Sequence, residues 1–187
     1  MEKDTNFTVA KICHEMANYL NVLNFIREDI AGNATHDLSE MYNVIDLLIY
    51  TMDFFRNLYT DITDAKAVID ALKKIYLLKD INLFISDANS MYSLPGKVQG
   101  AICCILYTVM KSLRLGDIVT VSSATDKSII NIPENINLPT EVHKALSETT
   151  QSNAFNILIN YAKNIASLEG YKIKLEDNSK QVVIWKQ

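Results

Sequence analysis

Glycine is scarce in this chain, and its positions exclude the common nucleotide-binding loops. The 187 residues include 5 glycines, at positions 32, 96, 100, 116 and 170. Neither GxGxxG nor GxxxxGKS/T can be written from these positions, and those spacings are the ones that bring a backbone close to nucleotide phosphates. The sequence therefore gives no indication of a Rossmann or P-loop site.

Proline and cysteine are also sparse. No proline precedes Pro95, and a single glycine lies ahead of it, so the first half of the chain can carry long uninterrupted helices. The 3 cysteines are Cys13, Cys103 and Cys104. Because their number is odd and no CxxC pair occurs, we expect reduced thiols and no metal site.

Long apolar runs and a strong charge of either sign are missing as well. The apolar stretch Ala101–Met110 is about half of the ~20 residues that a membrane-spanning helix needs, so it predicts a buried core helix. The 18 basic and 22 acidic residues give a net charge of -4, which provides no attraction to nucleic acid or an anionic membrane. We expect small molecules or proteins as partners, with no nucleic acid and no membrane. The first 11 residues carry two acids and no apolar run, so we expect a cytoplasmic protein without a secretory signal.

Two long helices are predicted in the first half. Apolar residues recur at spacings of three and four through residues 8–30, which is typical of one buried helical face. Gly32 and Asn33 then favour a helix stop, and residues 35–37 offer an N-cap for a second helix over residues 38–59. The sequence therefore predicts a helical hairpin.

The second helix is apolar on more than one face, and a single partner helix cannot cover it. Two hairpins from two chains, packed as a four-helix bundle, would bury this surface and predict a homodimer. Packing against the second half of the same chain is the alternative. The apolar residues are Met41, Val44, Ile45, Leu47, Leu48, Ile49, Met52, Phe54, Phe55 and Leu58.

The second half reads as mixed α and β, with helices on one face of a small sheet. Residues 171–175 and 181–185 alternate in polarity around a polar turn and predict a hairpin. The other predicted elements are helices at 65–78, 97–115 and 152–168, and strands at 81–86, 118–122 and 129–132. We therefore expect an α+β protein with a hairpin unit over residues 1–76 and an α/β sandwich over residues 77–187.

His14 lies near the centre of the polar face of the first helix when residues are placed about 100° apart. Lys11, Asn18, Asn21 and Asn24 share that face. An ordinary surface histidine is the simplest interpretation of the wheel alone.

Two apolar residues interrupt the same face. Val22 and Phe25 lie two and three turns beyond His14, where a water-facing position does not favour apolar groups. We interpret them, with Lys11 and Asn21, as a partner-binding patch. Cover by the second half of the chain or by a hairpin partner is the alternative.

The pattern His14-Glu15-x-x-Asn18 resembles the phosphoacceptor box of histidine kinase dimerisation domains. Further patches, M-D-F-F-R at residues 52–56, Leu-Pro-x-Lys at 94–97 and LRLGDIVTV at 113–121, are similar to those of ChpT-type histidine phosphotransferases of alphaproteobacterial phosphorelays. Such proteins commonly have a proline five residues after the histidine, where this chain has Tyr19. We expect Arg56 of the second patch to brace the hairpin or to pair with an acid, and not to contact phosphate.

The resemblance implies a function for each residue of the box. His14 would accept a phosphoryl group, Glu15 would orient the imidazole and help to take its proton, and Asn18 would help to place water for dephosphorylation. A histidine with an ordinary pKa of about 6.5 is mostly neutral at cytoplasmic pH, as a nucleophile must be. Both Glu15 and Asn18 are equally explained as solvated polar residues of the helix.

The second half resembles the ATP-binding domain of histidine kinases, in which one helix carries an asparagine for magnesium. The corresponding helix here, residues 97–115, contains no Asn, Asp or Glu, and no DxGxG follows it. We therefore expect a degenerate domain without ATP or another cofactor. Phosphate would pass between receiver domains, one of a hybrid histidine kinase and others of response regulators, and Mg²⁺ would come with the receiver.

Three alternatives remain open. One is an ATP-dependent kinase or ATPase of the same fold, and another is a noncatalytic dimeric adaptor or scaffold of a two-component system. A metal site built from Cys13, His14 and His36 is the third. Adjacent residues on a helix point about 100° apart, which disfavours the metal site.

Overall fold

The computed structural model describes residues 12, 15–26, 28, 38–59, 65–148, 150–151, 153, 156–176 and 180–187. Helix α1 covers residues 15–26, with residues 12 and 28 also helical. The other helices are α2 Ser39–Tyr59, α3 Lys66–Leu78, α4 Ala88–Ser93, α5 Gly96–Met110, α6 Thr140–Ser147 and α7 Ile157–Ser167. The strands are β1 Asn82–Ile85, β2 Ile118–Ala124, β3 Lys127–Asn131, β4 Tyr171–Glu176 and β5 Gln181–Lys186. The predicted α+β class is confirmed.

The strands form one five-stranded sheet in the order β1-β2-β3-β5-β4. β1 and β2 are parallel and are connected through α4 and α5, whereas the remaining pairs are antiparallel. The predicted β4–β5 hairpin is confirmed, with Tyr171 opposite Lys186 and Glu176 opposite Gln181.

The helices lie on one face of this sheet. Along β4, Tyr171, Ile173 and Leu175 are buried while the residues between them are exposed, as expected when one face is packed and the other meets water. Helix α5 is buried at every residue from Val98 to Met110. This confirms that the apolar stretch inside it is a core helix.

Helix α5 is shorter than predicted. It ends at Met110, and the following residues turn toward β2. Gly116 has φ 81°, in the left-handed region that favours glycine. Its N–H donates to the carbonyl of Asp80 at 2.8 Å, which places the start of β2 beside β1. Residues 111–115, which were predicted to continue the helix, therefore form the turn that leads to β2.

The C-terminal half covers the last part of α2. Thr51, Phe54, Phe55 and Leu58 are buried, and the ring of Phe54 stacks on Tyr107 of α5 with centroids 4.7 Å apart. One hydrophobic core runs from Phe54 to the sheet residue Ile184. At this end of α2, the apolar surface is thus covered by the second half of the same chain, which was the alternative to cover by a second chain.

The predicted boundary between residues 76 and 77 falls near the end of α3. This helix packs against both α2 and α5, and its buried residues belong to the common core. The division into two units remains a prediction. Within the described residues, no helix combines the length and apolarity that crossing a bilayer requires.

Candidate functional site

Helix α1 presents one face to the rest of the chain and another to solvent. Glu15 is buried and Tyr19 is half-buried, whereas Asn18 and Asn21 are exposed. Cys13, His14 and Lys11 lie outside the described residues, as does His36 of the alternative metal site. The described part of the site consists of residues that follow His14.

Glu15 differs from the expected solvated residue. It is 8% exposed, and its carboxylate accepts a hydrogen bond from the ammonium of Lys111, just after α5. On a helix, position 15 lies about 100° from position 14, so the side chain reaches the margin between the polar face and the core. The cation of Lys111 compensates the burial of the charge.

Two tyrosines enclose this ion pair. The ammonium of Lys111 lies 5.3 Å from the ring centroid of Tyr107. Burial raises the pKa of Tyr107 well above its ordinary value, and the nearby charge of Glu15 acts in the same direction. Burial also raises the pKa of Tyr19, with a smaller contribution from Glu15 in the same direction and an opposing hydrogen bond from Thr51. Both phenols are neutral at physiological pH.

Tyr19 connects α1 with α2. The hydroxyl of Thr51 donates to the Tyr19 hydroxyl at 3.5 Å. The side chain of Tyr19 thus contributes an interhelical contact. Residues 15–26 form one continuous helix.

A cleft of about 450 Å³ separates this part of α1 from the C-terminal half. Glu15, Asn18 and Tyr19 line one wall, and the opposite wall includes Lys79 and Lys111. The two lysines make the C-terminal wall basic. The cleft thus lies beside the predicted phosphoacceptor box.

The predicted partner-binding patch is exposed where the structure describes it. Val22 is 40% exposed and Phe25 is 72% exposed, and Asn18 and Asn21 on the same face are exposed as well. Val22 is therefore partly covered, and the described residues leave most of Phe25 uncovered. Such exposure beside polar residues is typical of a contact surface.

Helix α5 directs the polar groups of Gln99, Cys103 and Cys104 into the protein. The Gln99 amide donates to the carbonyls of Tyr92 and Leu94, at 3.2 and 2.7 Å. Cys103 and Cys104 are buried free thiols, and burial raises the pKa of Cys103 to about 12. These groups support packing of the helix.

Arg56 forms an ion pair with Asp53 of the same helix at 2.8 Å. Of the two roles expected for Arg56, pairing with an acid is the one found. The sequence alone does not indicate Lys111 or Lys79 as residues of the site. Neither lies in a motif, and the Glu15–Lys111 contact joins residues 96 positions apart.

Comparison with solved structures places the fold. The chain is similar to "1.7 Angstrom Structure of a Bacterial Phosphotransferase", with TM-score 0.73 and 12% identity over 98% of this chain and 95% of that chain. The Acinetobacter baumannii histidine kinase AdeS matches with TM-score 0.45 and 12% identity over 91% of this chain and 94% of that one. The cytoplasmic segment of histidine kinase QseC matches with TM-score 0.38 and 11% identity over 90% and 94% of the two chains.

No protein-family model matches the sequence, and no curated protein matches it at a significant level. The resemblance deduced from the sequence patches is therefore confirmed by structure, at the level of the fold. Over nearly its whole length, this chain has the fold of a bacterial phosphotransferase.

Proposed function

We propose that the protein is a cytoplasmic histidine phosphotransferase of the ChpT type, which relays a phosphoryl group between receiver domains through phosphohistidine at His14. One observation supports this proposal: the chain is similar in fold to a bacterial phosphotransferase over nearly its whole length, and Glu15 and Asn18 of the His-Glu-x-x-Asn box lie on α1 ahead of exposed apolar residues.

The transfer requires two things from this chain: a nucleophile, and a geometry that brings this nucleophile to the aspartyl phosphate of the receiver. A lone pair of the neutral His14 imidazole attacks the phosphorus of an aspartyl phosphate on the first receiver. The N–P bond forms while the bond from phosphorus to the carboxylate oxygen breaks, and the free aspartate is released. The reverse displacement delivers the phosphoryl group to the aspartate of a second receiver. Such transfer depends mainly on positioning and charge stabilisation.

Mg²⁺ held by the receiver would offset the charge of the phosphoryl group during transfer. This chain supplies the oriented imidazole and the docking surface. The ion pair with Lys111 holds Glu15 in one place on α1, which fits a role in orienting the neighbouring ring. Asn18 is exposed one turn beyond His14, where water reaches it.

Receiver docking is assigned to the patch of Val22 and Phe25 with the polar residues around it. Both side chains are exposed, and they lie on the same side of the helix as position 14. Lys11 and Asn21 complete the proposed patch. A receiver seated here would bring its aspartate to the start of α1.

A homodimer is supported by a second exposed stripe, on α2. Leu38, Tyr42, Ile49 and Met52 are between 41% and 59% exposed, and the partly buried Ile45 lies between them. These five positions follow the alternating spacing of four and three that is typical of a helix–helix seam. The same stripe of a second chain would cover it in a four-helix bundle.

Relay without ATP is supported by α5. The helix carries no carboxylate, and its single amide, Gln99, is buried and donates its hydrogens to main-chain carbonyls within the protein. Magnesium in phosphate sites is usually held by carboxylates and substrate oxygens. We therefore propose a degenerate ATPase-like domain that serves packing.

The proposal is tested by incubating the protein with a ³²P-phosphorylated receiver. We expect acid-labile, alkali-stable label on the wild type and none on His14→Ala. The matched control is His143→Ala, because His143 is an exposed histidine on α6, and this variant should be labelled normally. Label that survives in His14→Ala contradicts the assignment. Absence of label from every variant, with the dimer intact, would instead support the adaptor.

A further inference from the structure

A second groove lies on the sheet, away from α1. β4 is an edge strand, and no described residues form a strand beside its outer edge. A groove of about 660 Å³ follows this edge between β4 and α7. It includes Lys163 and Asn164 of α7, Lys172 and Lys174 of β4, and Trp185 of β5.

The hydrogen-bond register leaves part of the β4 backbone facing this groove. The N–H of Gln187 donates to the carbonyl of Gly170 at 2.9 Å, so this carbonyl and the main-chain groups of residues 172 and 174 point toward β5. In an antiparallel ladder the alternate residues point the other way. The N–H and C=O of Tyr171 and Ile173 therefore face the outer edge, which is a template for another strand.

Positive charge lies on both sides of this edge. Lys172 and Lys174 are exposed on the outer face of the sheet, and the half-buried Lys163 lies on the helix side. One acid, Glu148, lines the groove. Lys163 donates to the main-chain carbonyl of that residue at 2.8 Å. The groove is thus basic in a protein whose net charge is -4.

Burial lowers the pKa of Lys163, and the charge of Glu148 opposes this effect. An additional carboxylate in the groove would favour the charged ammonium. The environment of Lys163 is therefore suited to an acidic ligand.

We propose that this groove binds an extended acidic segment of a partner protein, which adds to the sheet as a sixth strand beside β4. Successive side chains of an added strand point to opposite faces. Acidic side chains at alternate positions would meet Lys172 and Lys174 on the outer face, and the intervening residues would meet Lys163 and Asn164. Main-chain hydrogen bonds would supply affinity, and the lysines would select the partner's charge. The site is independent of His14.

The experiment uses the full chain and its own fluorescence, because Trp185 is the 1 tryptophan of the sequence and lines the groove. The probe is a capped octapeptide of four Asp-Thr repeats. We expect a saturable change in Trp185 emission that weakens at high salt. The same peptide with an N-methyl group on every backbone amide has no main-chain donor on either edge, so it cannot pair as a strand and should not bind.

Charge selection is tested with two double variants of equal net charge. Lys172→Glu/Lys174→Glu should weaken binding by about tenfold or more, because two attractions become repulsions. Lys66→Glu/Lys73→Glu, on the exposed side of α3, should bind as the wild type does. Equal weakening in both variants, unchanged binding in the first, or binding of the N-methylated peptide would overturn the proposal. So would the absence of a saturable signal with the wild type.

Discussion

Removal of the Lys111 ammonium should destabilise the protein measurably, because Glu15 would remain buried without its cation. Loss of one partner from a buried ion pair costs about 3–5 kcal/mol, whereas an exposed pair contributes about 0–1 kcal/mol. The side chains of Lys111 and Glu15 are 37% and 11% exposed, so this pair lies between the two cases. For Lys111→Met we expect a loss of about 2 kcal/mol in the free energy of unfolding, or roughly 30-fold in the equilibrium constant.

The assay is urea unfolding followed by far-ultraviolet circular dichroism. The matched control is Lys97→Met, since Lys97 forms an ion pair with Glu169 at 3.3 Å in which both side chains are more than 30% exposed. That variant should lose less than about 1 kcal/mol. In a double-mutant cycle, Glu15→Gln and Lys111→Met should couple by about 1 kcal/mol. Equal losses from the two lysine variants, or a coupling near zero, would refute the reasoning.

Four further predictions follow from the described contacts. Phe54→Ala should lower the free energy of unfolding by about 3–5 kcal/mol, because Phe54 is fully buried and stacked on an α5 tyrosine; urea titration measures the loss. Ile49→Glu should convert the proposed dimer to a monomer in sedimentation analysis, and a dimer that persists would place the interface elsewhere. Phe25→Glu should slow phosphotransfer from a receiver at least about tenfold without changing the circular dichroism, as loss of a contact-surface anchor does. The Cys103 and Cys104 thiols, both buried with raised pKa values, should resist modification by a disulfide reagent until the protein unfolds, and peptide mass spectrometry would detect their labelling in the native state.

Periodicity predicted the long elements of the fold. The second helix and the β4–β5 hairpin were found because their patterns extend over enough residues to distinguish a period of 3.6 from a period of 2. Helices α4 and α6 have 6 and 8 residues, too few for a clear pattern. α6 also follows Pro139, and a proline at this position is a helix start signal that needs a longer apolar pattern behind it to be convincing.

Only the part of the candidate site that lies on α1 was predictable from the sequence. The exposure of Val22 and Phe25 follows from their place on the same face as position 14, which a helical wheel gives directly. The partner of Glu15 did not follow, because Lys111 reaches it through the tertiary fold. A polar residue at the margin of a helical face has no local feature that separates solvation from a buried ion pair.

The most direct test of the central claim is to identify the atom that carries phosphorus. After transfer from a phosphorylated receiver, ³¹P NMR of the purified protein should show one phosphoramidate resonance, and peptide mapping should place it on His14. The resonance should be absent from His14→Ala and present in His143→Ala. A phosphorylated serine, threonine or aspartate, or a phosphohistidine at another position, would contradict the account.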